Sequence, residues 1–223
     1  MRSWIRRIES RGDRMSAKRE FIMKELMVAG FIEKEKCVIH LEETDKFGES
    51  RLEFHLNSDE NLCIRNIDKK NTEMYFFQAD GKKSMFKRVD HIIFEHADAD
   101  KWNLHLIEMK SSVGAETWAD VKGKFRASYL LAQGIAAMLD INITETYMYT
   151  TYEEIKFTFP KTMPSARRTR SGVPLVRPEK EWSGEEFGLN FGTRLKFSHK
   201  PVHMARDSQN VLVGEYGLDR DFC

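Results

Sequence analysis

The hydrophobic positions between residues 37 and 110 fall in short runs separated by polar turns, a pattern that predicts β-strands. The weaker candidates are Cys37–Leu41, Arg51–Leu56 and Leu62–Ile64, and the stronger ones are Glu73–Ala79, Val89–Glu95 and Asn103–Lys110. Asp80-Gly81 is typical of a tight turn, and the polar segment Ala97–Lys101 predicts another turn between the last two strands. Residues 89–110 are therefore expected to form a β-hairpin.

Two other segments predict helices. Residues 115–139 repeat their hydrophobic residues at three- and four-residue steps, and a strand is predicted after them at Ile143–Thr151. A shorter helix is predicted to begin after the N-cap candidate Ser16 and to end before Gly30. Its broad apolar face also contains Glu25, a carboxylate that requires a cation, a metal ion or a position at the rim of that face.

The order of these elements predicts an α/β (α+β) fold in three segments. Residues 1–15 form a basic N-terminal arm, and residues 16–159 form the core. Residues 160–223 contain a basic, proline-rich loop followed by a C-terminal extension that is expected to pack on the core. Phe187–Phe191 and Arg194–Phe197 are candidate short strands within that extension.

Composition narrows the class of protein. Hydrophobic residues make up 41% of the chain and charged residues 32%, which is typical of a globular protein. The net charge of +1 means that binding to nucleic acid would depend on local basic patches. The odd number and wide spacing of Cys37, Cys63 and Cys223 argue against a disulfide framework or a zinc site and favour reduced thiols in the cytoplasm. No apolar run is long enough to span a bilayer, so no membrane association is expected.

The predicted hairpin brings acidic residues together. Because partners flank a hairpin turn symmetrically, Asp90 is expected opposite residue 108 or 109. Glu108 and Lys110 share one face of their strand with Leu104 and Leu106. Converging carboxylates favour Mg²⁺ or Mn²⁺, and the nearby lysine can orient a water or neutralise charge. The alternative is that Asp90 and Glu108 are solvated charges at strand ends and that Lys110 is their surface partner.

The segment Val89-Asp90, followed by Ile107-Glu108-Met109-Lys110, resembles the split D…E-x-K motif of the PD-(D/E)xK nuclease superfamily, with valine in place of the proline. The resemblance covers residues 16–151. It implies a restriction-endonuclease-like central mixed β-sheet flanked by helices. It also implies that Asp90, Glu108 and the backbone carbonyl of Met109 bind Mg²⁺, or alternatively Mn²⁺, and that Lys110 assists the attacking water. Glu25 and Gln133 are the candidates for accessory site residues.

Basic residues supply candidate contacts to nucleic acid. Arg167, Arg168 and Arg170 cluster in the loop, and clustered arginines bind phosphates. Lys122 and Lys124 lie on the polar side of the long predicted helix and are candidates for the same function. A solubilising loop and a solvated helix face are the alternatives.

These residues lead to one main hypothesis and two alternatives. The main hypothesis is a metal-dependent nuclease that hydrolyses phosphodiester bonds, in DNA rather than RNA. The first alternative is a non-catalytic nucleic-acid-binding or assembly subunit with the same fold, and the second is a protein-interaction module. The sequence leaves open the strand type, endo- or exonucleolytic cleavage, the formation of a homo-oligomer and the need for an activator.

Overall fold

A six-stranded sheet lies at the centre of the computed structural model, which describes residues 17–45, 48–72, 77, 84–98, 100–157, 178–184 and 186–217. The described strands are β1 (Glu33–Glu35), β2 (Val38–Asp45), β3 (Gly48–His55), β4 (Asn61–Ile64), β5 (His91–Asp98), β6 (Lys101–Glu108), β7 (Ser112–Gly114), β8 (Asn142–Tyr152), β9 (Glu154–Lys156), β10 (Gly188–Asn190), β11 (Arg194–Lys196), β12 (Ser198–His203), β13 (Ala205–Arg206) and β14 (Leu212–Tyr216). The described part of the chain also contains the α-helices α1 (Ala115–Met138) and α2 (Pro178–Trp182), a π-helical turn at Ile22–Leu26 and a 3₁₀ turn at Ile67–Lys69.

The central sheet is antiparallel on one side and parallel on the other. Its strand order is β1-β4-β5-β6-β8-β12. The pairs β1–β4, β4–β5 and β5–β6 are antiparallel, whereas β6–β8 and β8–β12 are parallel. Parallel neighbours need a crossover connection, and α1 lies in the connection between β6 and β8. The result is a mixed α/β fold.

Buried clusters cover both faces of this sheet. On one face, Leu104 and Leu106 of β6 belong to the same cluster as Trp118 and Phe125 of α1. On the other face, Ile107 belongs to a cluster with residues of a second sheet, whose order is β13-β14-β3-β2. Alternation along β6 therefore directs side chains into a helical layer on one side and into a second sheet on the other.

The hairpin and the elements that follow it confirm the sequence prediction. β5 and β6 pair antiparallel with His91 opposite Ile107, and they are joined at the predicted polar turn. The predicted helix over residues 115–139 is α1, and the strand predicted at Ile143–Thr151 is β8. The helix ends where Asp140 takes a left-handed conformation with φ of 52°.

The first helical segment differs from its prediction. Residues 17–26 are helical, but the expected apolar face is largely in solvent, with Phe21 57%, Leu26 68% and Val28 80% exposed. Only part of it, including Ile22, packs against the cluster that contains α1. The helical period correctly indicated a helix here, but a period does not determine how much of an apolar face is covered.

The described residues 198–216 add strands to both sheets. The sequence had instead predicted an extension that packs on a core already complete without it. β12 pairs with β8 at the edge of the central sheet, and β14 pairs in parallel with β3 in the second sheet. Long-range strand pairing of this kind leaves no local pattern in the sequence. The predicted N-terminal arm, most of the predicted strand Glu73–Ala79 and the basic loop up to residue 177 lie outside the described residues.

Cysteine chemistry and membrane association were also predicted. Cys63 is a free, buried thiol, and burial raises its pKa to about 12. Cys37 is disulfide-bonded, so the prediction that all three cysteines are reduced is wrong for this residue. Among the helices that the structure describes, none combines the length and apolar character needed to cross a bilayer.

Candidate metal centre

Asp90 and Glu108 meet at one end of the central sheet. The backbone N–H of Asp90 donates to the carbonyl of Ile107 at 3.1 Å, immediately before the His91–Ile107 pair. This register places Asp90 opposite Glu108, and directly opposed residues of antiparallel strands share a face. Both acids are buried, with 3% of Asp90 and none of Glu108 exposed. The sequence therefore predicted this pairing correctly.

A lysine ammonium group lies between the two carboxylates. Lys124 Nζ of α1 is 2.7 Å from Glu108 Oε1 and 4.0 Å from Asp90 Oδ1. Lys110 Nζ approaches the same Glu108 Oε1 atom at 2.5 Å. Glu108 Oε2 is buried and has no hydrogen-bond partner among the described residues. One oxygen of Glu108 thus carries two ion pairs, while the other retains an unused acceptor.

Backbone contacts hold Asp90 and Lys110 in place. The N–H of Met109 donates to Asp90 Oδ2 at 2.5 Å, and Lys110 Nζ donates to the carbonyl of Met109 at 3.0 Å. Thr151 of β8 uses its hydroxyl twice, accepting from the Lys110 N–H at 2.8 Å and donating to the Lys110 carbonyl at 3.0 Å. The neighbouring strand therefore fixes the backbone from which Lys110 projects.

The electrostatics of this pair are unusual. Burial raises the pKa of Asp90 to about 8, and the negative charge of Glu108 adds to this effect, while Lys110, Lys124 and the Met109 N–H oppose it. Burial alone would lower the pKa of Lys124, but attraction to Glu108 and Asp90 outweighs it and raises that pKa. Lys110 and Lys124 therefore do not fully offset the effect of burial and of the Glu108 charge on Asp90.

Two further carboxylates surround Asp90. Oxygen atoms of Glu43, Asp68 and Asp90 all lie within 4.8 Å of one another. Glu43 pairs with Lys69 at 2.9 Å through one oxygen, and its Oε2 atom is buried without a hydrogen-bond partner among the described residues. Glu43 of β2, Asp68 of the 3₁₀ turn and Asp90 before β5 therefore converge at this end of the sheet, and Glu108 of β6 lies opposite Asp90.

Two hydrogen bonds to residues at the start of β5 hold the 3₁₀ turn that carries Asp68. The Ile67 N–H donates to the Asp90 carbonyl at 2.9 Å, and the Asn66 N–H donates to His91 Nδ1 at 3.3 Å. Burial lowers the pKa of His91 to about 3, which keeps its ring neutral and able to accept this bond. Alternation along the strand places the His91 side chain on the face opposite Asp90 and Glu108. There its ring accepts from the Asn66 N–H and orients the 3₁₀ turn.

Sequence reasoning missed Glu43 and Asp68. Glu43 follows Ile39 and Leu41 at two-residue steps along β2, so an acid on a buried strand face was the available signal. The strand was predicted to end at Leu41, which hid that signal. Asp68 carries no comparable signal, because a 3₁₀ turn after a left-handed Asn66 is not encoded by any periodic pattern.

A cleft of about 420 Å³ opens beside these acids. Lys110, Ser111 and Ser112 form part of its wall, and Glu43 and Arg206 are also among its lining residues. Arg206 is held in place by two 2.9 Å bonds to Glu153 and by a 3.0 Å bond to the Asn210 carbonyl. The cleft gives an extended ligand access to Lys110.

The two predicted accessory residues do not join the acids. Glu25 lies on the exposed first helical segment with 52% of its side chain in solvent, where its nearest described cation is Lys24 at 3.9 Å. Gln133 lies nine residues beyond Lys124 on α1. At the rise and twist of an α-helix this separates them by about 13 Å along the axis and places them on opposite sides. The structure therefore assigns neither residue to the site.

The five basic residues predicted to contact nucleic acid have different positions in the structure. Arg167, Arg168 and Arg170 lie outside the described residues. Lys122 pairs with Glu181 of α2 at 2.5 Å, so its charge is used within the protein. Lys124 has only 17% of its side chain exposed and belongs to the acidic site. The prediction that these two lysines bind phosphates stays a prediction, and in the structure each of them is paired with an acid of the protein.

Thr151→Val is expected to lower any activity that depends on Lys110 by about tenfold and to destabilise the fold by about 1–2 kcal/mol, since the variant loses both hydrogen bonds to the Lys110 backbone. Thermal unfolding and activity measured on the same samples test this. Thr144→Val is the matched control, because Thr144 is in the same strand and its hydroxyl donates to the Trp102 carbonyl away from the site. Equal effects of the two substitutions would contradict the expectation.

The donor set fits a hard divalent cation. Asp90, Glu43 and Asp68 offer carboxylate oxygens within 4.8 Å of one another, and Glu108 Oε1 and the Met109 carbonyl share contacts with the Lys110 ammonium group. Oxygen ligands without histidine or cysteine favour Mg²⁺ or Mn²⁺ over zinc. The buried, unpaired oxygens of Glu108 and Glu43 are acceptors that such an ion would satisfy.

Asp90, Glu108 and Lys110 lie at the same end of the central sheet. Lys110 Nζ is 2.5 Å from Glu108 Oε1, and Lys124 Nζ is 2.7 Å from Glu108 Oε1 and 4.0 Å from Asp90 Oδ1. Comparisons of the chain with models of protein families, with curated proteins and with solved structures found no match.

Proposed function

We propose that this protein is a metal-dependent nuclease that hydrolyses phosphodiester bonds, with DNA as the preferred substrate. The observation that carries the proposal is the buried pair of Asp90 and Glu108, which share the Lys124 ammonium group, with Lys110 Nζ 2.5 Å from Glu108 Oε1. Buried acids are rarely retained without a partner or a function. Glu108 Oε2 adds a buried acceptor that no described residue satisfies.

The topology around the acids supports a restriction-endonuclease-like fold. A β-hairpin carries both acids, a long helix follows it, and the next strand of the central sheet is parallel to the second hairpin strand. That order agrees with the one implied by the resemblance.

Each residue has a defined function in the proposed reaction. Asp90 and Glu108 hold Mg²⁺ or Mn²⁺, together with the Met109 carbonyl. Such a cation polarises a phosphoryl oxygen and lowers the pKa of a bound water. Lys110 orients the attacking water and offsets the negative charge that develops on the phosphate. The proposed contacts to flanking phosphates are the hydroxyls of the cleft wall and the guanidinium of Arg206, which is also paired with Glu153.

The nuclease test uses single- and double-stranded DNA and RNA with Mg²⁺, with Mn²⁺ or with a chelator. We expect DNA cleavage that requires the divalent ion, and loss of that cleavage in Lys110→Ala. Lys122→Ala is the control, because Lys122 pairs with Glu181 outside the acidic site. Absence of cleavage on every substrate, or full activity of Lys110→Ala, would remove the proposal. Salt-sensitive DNA binding without cleavage would favour the non-catalytic binding subunit instead.

A further inference from the structure

We propose that Lys124 is a resident counter-ion that competes with the divalent cation for Asp90 and Glu108. This inference rests on the proposed function, since it concerns the same site. Lys124 comes from α1, whereas both acids come from the β5–β6 hairpin region. The helix therefore delivers a positive charge to the position between the carboxylates that the cation is proposed to occupy.

The contacts of Lys124 identify it as part of the site. Its ammonium group is 2.7 Å from Glu108 and 4.0 Å from Asp90, and 17% of the side chain is exposed. Asp68 also attracts it electrostatically. Lys122, two residues earlier on the same helix, instead binds Glu181 and has 31% of its side chain exposed. One helix thus carries a lysine inside the acidic site and a lysine outside it.

Charge balance gives the reason for such a residue. Among the described residues, the acids at this end of the sheet are Asp90, Glu108, Glu43 and Asp68, and their lysine partners are Lys110, Lys124 and Lys69. Without a bound ion, removal of Lys124 would leave buried carboxylates with too little positive charge, which is costly. With a divalent ion bound, the same ammonium group lies close to the ion and repels it. Lys124 therefore stabilises the ion-free protein and weakens ion binding.

A purely structural lysine predicts a different outcome. If Lys124 only fixed the packing of α1 on the hairpin, its removal would distort the acids and weaken binding of the ion. The competing counter-ion predicts the opposite sign, because removal of a positive charge strengthens the attraction between the acids and a cation. The sign of the change in affinity therefore separates the two functions.

The experiment is calorimetric titration of Mn²⁺ into the parent, Lys124→Gln, Lys124→Met and Lys122→Gln proteins at one pH and ionic strength. We expect Lys124→Gln and Lys124→Met to bind Mn²⁺ about tenfold more tightly than the parent. Lys122→Gln is expected to bind as the parent does. Thermal unfolding provides the second readout: both Lys124 variants melt lower than the parent without the ion and gain more from added Mn²⁺.

The possible results are distinct. Unchanged or weaker Mn²⁺ binding in both Lys124 variants, with a parent that binds Mn²⁺, overturns the counter-ion inference and leaves the proposed function standing. A parent that binds no Mn²⁺ overturns the proposed function and this inference with it. If a variant is unfolded without the ion, the inference predicts that Mn²⁺ restores its folding, and failure of both variants to respond overturns it.

Discussion

Replacing Glu108 with glutamine is expected to lower divalent-dependent cleavage by at least about a thousandfold, which corresponds to roughly 4 kcal/mol of transition-state stabilisation. The substitution keeps the shape of the side chain but removes one of the two buried charges that are proposed to hold the ion. It also turns both short ion pairs of Lys110 and Lys124 with Glu108 Oε1 into contacts with a neutral amide. A neutral amide oxygen attracts a divalent cation less strongly than a carboxylate does, because it carries no net negative charge.

The Glu108→Gln variant is nevertheless expected to fold. Glu108 helps to raise the pKa of Asp90, so its neutralisation favours the ionised form of Asp90. Ionised Asp90 then provides the partner for Lys124, whose Nζ atom is already 4.0 Å away. We expect the free energy of unfolding to change by less than about 2 kcal/mol.

Single-turnover cleavage and circular dichroism of the same preparation test this expectation. Glu154→Gln is the control, because Glu154 in β9 is exposed and pairs with Lys156. Retention of cleavage within tenfold of the parent by a folded Glu108→Gln protein would show that Glu108 is not a ligand of the catalytic ion.

Replacing Asp90 with asparagine is expected to stabilise the ion-free protein at pH 8 by about 2 kcal/mol, in spite of the loss of activity. The folded-state pKa of Asp90 is about 8, whereas its ordinary value is 3.8. Between these values the folded protein retains a proton that the unfolded chain has released. The stability that Asp90 contributes is therefore complete below about pH 4 and is lost as the pH rises towards 8.

Asparagine does not titrate, so the pH-dependent loss disappears in the variant. Its amide oxygen can still accept the bond from the Met109 N–H. The stability difference between variant and parent is thus expected to grow from pH 5 to pH 8. Added Mg²⁺ is expected to reverse the order, because the ion stabilises only the protein that binds it.

Urea unfolding at pH 5, 6, 7 and 8, with and without Mg²⁺, measures these differences. Asp59→Asn is the control, because Asp59 is exposed in the loop before β4. A pH-independent difference between the Asp90→Asn variant and the parent would contradict the buried, proton-binding state of Asp90. An equal gain in stability from Mg²⁺ in both proteins would contradict Asp90 as a ligand.

The sequence predicted those parts of the site that depend on local periodicity. The two-residue alternation of β6 places Glu108 and Lys110 on one face with Leu104 and Leu106, and the polar turn sets the register that brings Asp90 opposite Glu108. Both features need only the geometry of one hairpin. The helix and strand that follow were equally accessible, because each is a long segment with a single period.

Contacts between distant segments were not predictable from pattern alone. Lys124 was placed correctly on the polar side of α1, but whether that side faces solvent or the acids depends on how the helix packs on the sheet. The approach of Glu43 and Asp68 requires a second sheet and a 3₁₀ turn, neither of which follows from alternation. Arg206 reaches the cleft through strand pairing of the C-terminal region. These contacts arise from tertiary structure, which local propensity does not determine.

The most direct test of the central claim is the anomalous diffraction of a crystal soaked in millimolar Mn²⁺. The account predicts an anomalous peak at the end of the β5–β6 hairpin, within coordination distance of carboxylate oxygens from Asp90 and Glu108, with the Lys124 ammonium group moved away from Glu108 Oε1. A fully soaked crystal with no peak beside Asp90, and with Lys124 still paired to Glu108, would contradict it.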